Sequence, residues 1–147
     1  MNHQPMTSEW ASLIQKWTYA APYDFYNQSP SEEGIDELMT YQAMVEEHEL
    51  IGFYCIGAPA QVPNSDYSYS SDMTDIGFGM RPDLTGKGRG RSFVTYVIER
   101  ALERGKPLRL TVASFNERAI HLYETVGFRI ITSFERNGVP FHVMVRD

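Results

Sequence analysis

The stretch Asp75–Val94, DIGFGMRPDLTGKGRGRSFV, decides how the rest of the chain is read. It opens as an apolar strand over Asp75–Met80, turns at Arg81-Pro82, and runs through Gly86-Lys87-Gly88-Arg89-Gly90-Arg91 into a helix. From Gly88 to Arg104 the residues Phe93, Val94, Val97, Ile98, Ala101 and Leu102 recur at helical spacing, and Gly105 ends the run. Three alternating glycines expose successive backbone N–H groups where the following helix points its positive end. Such a terminus is suited to an anion, most often a phosphate. A plain turn between strand and helix would not need three glycines inside a basic hexapeptide. Two common nucleotide patterns do not fit. The Walker pattern needs glycine where Arg81 stands and Ser or Thr where Gly88 stands, and the dinucleotide fingerprint needs glycine in place of Arg91.

Upstream, Thr7 or Ser8 caps a short helix with Trp10, Leu13, Ile14 and Trp17 on one face. The segment AAPYDFYNQSP, bounded by prolines, argues against regular structure. A second short helix fits Ser31 to Tyr41, with Ile35, Leu38 and Met39 inward. Residues 42–47 and 50–57 flank a polar His48–Glu49 turn and read as a β-hairpin. Asn64 to Asp72, rich in Ser, Tyr and Asp, reads as an exposed loop.

Downstream, LRLTVA at 108–113 is a strand in which Leu108, Leu110 and Val112 alternate with Arg109 and Thr111. Asn116 is a good N-cap for a helix that stops at Gly127. Strands 128–134 and 140–145 meet at an Asn137–Gly138 turn, a strong hairpin signal. Helices, hairpin, strand, helix, strand, helix, hairpin: the order is that of an α/β domain with a mixed, largely antiparallel sheet.

The 147 residues fit a single domain spanning 1–147. With 42% hydrophobic and 22% charged residues the chain can fill a core and is not of the disordered class. Thirteen basic against nineteen acidic residues, a net charge of −6, suit neither nucleic acid nor an anionic membrane. The lone cysteine, Cys55, excludes an internal disulfide and a cysteine-based zinc site. His3, His48, His121 and His142 show no metal spacing, so no metal is expected. The first residues lack the basic start and apolar run of a signal peptide, and the longest apolar stretch, Leu50–Ala60, is too short to span a bilayer. A cytoplasmic protein is expected.

The glycine segment resembles the pyrophosphate loop of the GNAT superfamily of acetyl-CoA-dependent N-acetyltransferases. That loop reads Arg/Gln-x-x-Gly-x-Gly/Ala, and residues 85–90 match it with Thr85 in first place. A second block, Asn116-x-x-Ala119-x-x-Leu122-Tyr123 followed by Gly127-Phe128, is similar to another element of that family, in the same order along the chain. Trp17 and Pro22-Tyr23-Asp24-Phe25-Tyr26-Asn27 look like the opening of one of its subgroups.

The resemblance implies a fold in which the strand before the loop bulges and splays from its neighbour, and Gly77 and Gly79 would ease such a distortion. Close packing explains those two glycines equally well. It also implies direct attack of a primary amine, of a small molecule or a peptide, on the acetyl-CoA thioester. Thr85, Gly86, Lys87, Gly88, Arg89, Gly90, Arg91 and Asn116 would hold the cofactor, and the arm would pair with the 75–80 strand. Backbone N–H groups near Phe78, Gly79 and Met80 would polarise the thioester carbonyl. Tyr123 matches the tyrosine that acts as general acid, although an aromatic beside Leu122 and Ala119 also reads as core. Asp75 stands in the region of the general base, with Asp72 three residues before it. Reaction through a water and a merely solvated carboxylate are both open, as is loss of the amine proton to water.

Tyr23, Asp24, Phe25 and Tyr26 offer aromatic faces and a carboxylate to a cationic acceptor, and read equally as packing. Thr85 departs from the family's Arg or Gln, and no glutamate stands in the base region. The first strand has only NHQPM to occupy. A CoA-binding sensor without transfer therefore remains a competing reading, and a phosphate binder unrelated to CoA a further one. A homodimer through N-terminal aromatics or an edge strand is open.

Overall fold

Local capping sets the first elements. In the computed structural model, which describes residues 1–85 and 88–147, Thr7 Oγ1 accepts the Trp10 N–H at 3.1 Å and starts helix α1 (Ser8–Gln15). Ser31 does the same for helix α2 (Glu32–Leu38), its Oγ accepting the Gly34 N–H at 3.0 Å. The remaining elements are strands β1 (Asn2–Pro5), β2 (Gln42–Glu46), β3 (Glu49–Ile56), β4 (Thr74–Met80), β5 (Leu108–Ala113), β6 (Arg129–Arg136) and β7 (Val139–Arg146), with helices α3 (Gly90–Leu102) and α4 (Glu117–Thr125). The sheet order is β1-β2-β3-β4-β5-β7-β6. This is the mixed, largely antiparallel α/β architecture expected, with β4 and β5 as its parallel pair among the described pairings.

The chain divides into two compact units that share β4. The first, Met1–Cys55 with Phe78–Arg89, carries β1, β2 and β3 in antiparallel register under α1 and α2. Its core is Met6, Ala11, Ile14, Leu38, Ala43, Val45 and Leu50, with Trp10, Trp17, Ile35, Tyr41 and Phe53 packed against it. Gln15, at the end of α1 and 4% exposed, donates to the Ser31 carbonyl at 3.1 Å and accepts the Ser31 N–H at 3.4 Å, tying one helix to the cap of the next. The second unit, Ile56–Gly77 with Gly90–Asp147, holds β5, β7 and β6, with α3 buried through Phe93, Val94, Val97, Ile98 and Ala101.

Several expectations are corrected. Met39, read as inward, is exposed, and so is Leu13, read on one face with Ile14: short helices have a narrow buried face, filled in α1 by Ala11, Ile14 and Gln15. The β2–β3 turn is Glu47–His48, both at positive φ (51° and 70°), one residue earlier than the sequence suggested. The Asn137–Gly138 turn has the same hand, at 53° and 79°. The register shifts of the described pairings fall at Met44/Val45 and Ile130/Thr132.

Candidate active site

Along β4 the backbone groups alternate in direction. The Asp75 carbonyl accepts the Gly57 N–H at 2.8 Å, and the Arg81 N–H donates to Ile51 O at 2.8 Å, so odd-numbered residues face β3. Even-numbered ones face the other edge, where the Thr74 N–H donates to Pro107 O at 2.9 Å. Phe78 and Met80 therefore turn their main-chain groups away from β3, on the edge an added strand would need. Tyr19, not singled out in the sequence, donates its hydroxyl to the Met80 carbonyl at 2.6 Å.

Gly79 has a steric reason of its own. A Cβ there would lie 2.4 Å from Phe53 Cζ. The Phe53 ring is stacked against Trp17 at 6.2 Å and Tyr41 at 5.6 Å, so it has little room to swing aside. Close packing by an aromatic ring on the neighbouring strand thus accounts for this glycine.

Past β4, Arg81 forks onto Asp83 at 2.7 and 3.2 Å and donates to the Leu50 carbonyl at 3.1 Å. The Asp83 carboxylate, opposed by partial burial, holds the guanidinium proton more firmly than usual. Thr85 turns its hydroxyl back to Pro82 O at 2.8 Å, closing the turn from which the loop departs. Gly86 and Lys87 lie outside the described residues. Gly88 sits at φ 75°, and a Cβ on it would meet nothing within 4 Å. The sequence put glycine where the backbone is left-handed and one side is open, two residues before α3 begins. Arg89 is paired with Glu46. Gly90 starts α3 with Leu122 Cδ2 3.0 Å from where its Cβ would be, and Arg91 is exposed in the first turn. A left-handed glycine with open space beside it at a helix start fits a pyrophosphate.

In the second unit, Asn116 caps α4, its Oδ1 accepting the Ala119 N–H at 3.3 Å. Tyr123 is buried in α4 with its ring edge-on to Phe128 at 6.3 Å.

Asp75 is the clear departure from the sequence reading. Its carboxylate is 3% exposed and accepts from Arg109 Nε at 2.6 Å and Nη2 at 2.9 Å, and from Gln61 Nε2 at 2.9 Å. A cavity of about 290 Å3 lined by Gln61, Ser71, Thr74, Arg104 and Lys106 reaches this residue, yet both carboxylate oxygens are already engaged. A carboxylate held this way is not the solvated one that the sequence also allowed. Arg109, which alternates with Leu108 and Leu110 in the strand, is wholly buried. Its remaining donors go to Tyr67 Oη at 3.2 Å and the Ser70 carbonyl at 2.8 Å, and Tyr69 lies over the guanidinium. The bonds to Asp75 raise its proton affinity against the opposing effect of burial. The loop read as merely exposed thus folds two tyrosines inward to satisfy one cation.

On the acceptor side, Tyr23, Asp24, Phe25 and Tyr26 form one 3-10 turn. Phe25 and Tyr26 pack edge to face at 5.3 Å, and Tyr26 meets Tyr19 at 6.4 Å. Phe25 is 47% exposed, and Asp24 is exposed as well. Among the described residues there is no group of three or more His, Cys, Asp or Glu able to hold a metal, and no helix long and apolar enough to cross a membrane.

The profile of the acetyltransferase (GNAT) family matches residues 4–128. The chain belongs to this family. It is 37% identical over 57 residues to a thialysine N-epsilon-acetyltransferase of Sus scrofa, covering 38% of this chain and 34% of that protein. Against the L-amino acid N-acyltransferase MnaT of Escherichia coli it is 30% identical over 63 residues, covering 42% and 37%. The matches thus span little more than a third of these curated relatives. The fold is similar to that of the aminoglycoside acetyltransferase AAC(6')-Ib in complex with coenzyme A, at a TM-score of 0.76 and 17% identity over 99% of this chain and 93% of that one. It is also similar to a chimera of the spermidine N-acetyltransferase SpeG from Vibrio cholerae and hSSAT, at 0.68 and 18% over 99% and 95%.

Proposed function

We propose that this GNAT chain, acting as one domain over residues 1–147, transfers an acetyl group from acetyl-CoA directly to a primary amine of a small molecule or peptide. The observation that carries the reading is the family match over 4–128, which takes in a loop whose Gly88 is left-handed and open at the start of α3. Acetyl-CoA would supply the activated acetyl thioester. Gly86, Lys87, Gly88, Gly90 and Arg91 are the proposed pyrophosphate contacts, with Arg89 joining them once it leaves Glu46. Thr85 serves by closing the preceding turn rather than by bracing phosphate. Phe78 and Met80 present the β4 backbone to the arm, and Asn116 combines capping with a cofactor contact. Tyr123 is the proposed proton donor to the leaving sulfur, a role that a phenol can fill. With Asp75 bound to Arg109, the amine loses its proton to water.

Three things support a cationic amine as acceptor. The first 55 residues carry nine acidic side chains and one basic one, Lys16. Phe25 and Tyr26 expose aromatic surface beside Asp24. Structural neighbours are named for spermidine and aminoglycosides.

A second reading, a CoA-binding module without transfer, draws on the engagement of Asp75. Titration of acetyl-CoA by calorimetry, followed by a panel of polyamines, aminoglycosides and amino acids read by mass spectrometry, separates the two. Binding with an acetylated product supports transfer. Binding with no product supports the module, and no binding removes both.

A further inference from the structure

The end of β4 is gripped by the short segment Trp17–Tyr19. Trp17 stacks on Phe53, whose ring fills the space that Gly79 leaves, and Tyr19 reaches Met80. The peptide joining Met80 and Arg81 is thereby tied on both sides, its carbonyl to the Tyr19 hydroxyl at 2.6 Å and its N–H to Ile51 O at 2.8 Å. Tyr19 is itself fixed: its N–H donates to Asn27 Oδ1 at 2.7 Å, and its ring meets Tyr26 edge-on. Burial, and after it Tyr26, pushes its hydroxyl up to about 12, so Tyr19 remains a hydrogen-bond donor across the physiological range.

We propose that Tyr19 is a positioning residue for the acyl donor, aligning the Met80 peptide on the edge of β4 where the cofactor's arm pairs. The inference rests on the acetyltransferase reading. A carbonyl has two lone pairs. Tyr19 occupies one and fixes the plane of the peptide, leaving the second directed for the arm's amide. The contact is remote from the phosphate-binding glycines in chemistry: it concerns the arm and not the nucleotide.

That distinction supplies the test. Affinities of wild type and Tyr19→Phe are measured for acetyl-CoA and for 3′-phospho-ADP, the nucleotide half of the cofactor, with circular dichroism to confirm folding. The expected result is acetyl-CoA affinity lowered about five- to tenfold, the effect of one hydrogen bond, with 3′-phospho-ADP affinity changed less than twofold. Equal weakening of both ligands would make Tyr19 a general support of the fold and overturn the inference. Unchanged or tighter acetyl-CoA binding would overturn it too, the latter showing that Tyr19 competes with the arm. In these cases the acetyltransferase reading stands. Failure of wild type to bind acetyl-CoA overturns that reading and this inference with it.

Discussion

Asp75 and Arg109 are register partners on adjacent parallel strands, and their side chains form a buried ion pair with bonds of 2.6 and 2.9 Å. Parallel partners point to the same face of a sheet, so pairing of these two positions brings the charges together. Among the described residues no buried side-chain nitrogen or oxygen lacks a hydrogen bond, and the pair with its tyrosine and serine neighbours is part of the reason.

Asp75→Asn keeps the shape and removes the charge, leaving the Arg109 cation buried without its counterion. Loss of one member of such a pair destabilises by about 3–5 kcal/mol. Chemical denaturation should show this loss. A soluble variant of wild-type stability with greatly reduced turnover would instead make Asp75 a base.

Gly79→Ala places a methyl group 2.4 Å from a ring held between two others. Overpacking of this kind destabilises by about 1–3 kcal/mol. Shrinking the ring relieves it, so Gly79→Ala combined with Phe53→Leu should destabilise less than the two single changes added together. Strict additivity in thermal unfolding would mean that the ring is not what the methyl meets.

Helix α3, both hairpins and the caps at Thr7 and Asn116 were legible because periodicity, paired turn residues and capping are local signals. Arg109 was not. Alternation with Leu108 and Leu110 is the pattern of a strand with one wet face, and the carboxylate that makes its burial tolerable lies 34 residues earlier. Tyr19 left no signal either, because its partner is a backbone carbonyl 61 residues away and carbonyls have no sequence signature.

Gly88→Glu should abolish acetyl-CoA binding. Nothing among the described residues lies within 4 Å of the new Cβ, while the side chain's charge opposes the pyrophosphate. At φ 75° any side chain carries backbone strain of about 1 kcal/mol. Gly88→Asn, which tolerates that conformation without a charge, is the control and should retain most of the affinity in calorimetry.

Tyr19 gives the protein a sensitivity to alkali with a definite sign. Its folded pKa is raised from 10.0 to about 12. Its contribution to stability is therefore intact below pH 10 and is lost as pH rises through 12. Tyr41 is raised as well, first by burial and then by Cys55 and Glu37, and acts in the same direction. Melting temperatures followed from pH 8 to 12 should fall more gently in Tyr19→Phe than in wild type. Parallel curves would show that the Tyr19 hydroxyl titrates as it does in the unfolded chain.

Tyr123→Phe removes one hydroxyl from a ring that packs against Phe128. The ring stays, so α4 and its buried face should survive with the change in stability held to about 1 kcal/mol. If the phenol is the general acid, kcat falls by about 10²–10⁴-fold, while the Kd for acetyl-CoA moves little. The loss should shrink for thioesters whose thiol leaves more readily, since those need less help from an acid. Equal turnover in the two proteins would return Tyr123 to the core as an ordinary aromatic and leave water to protonate the leaving sulfur.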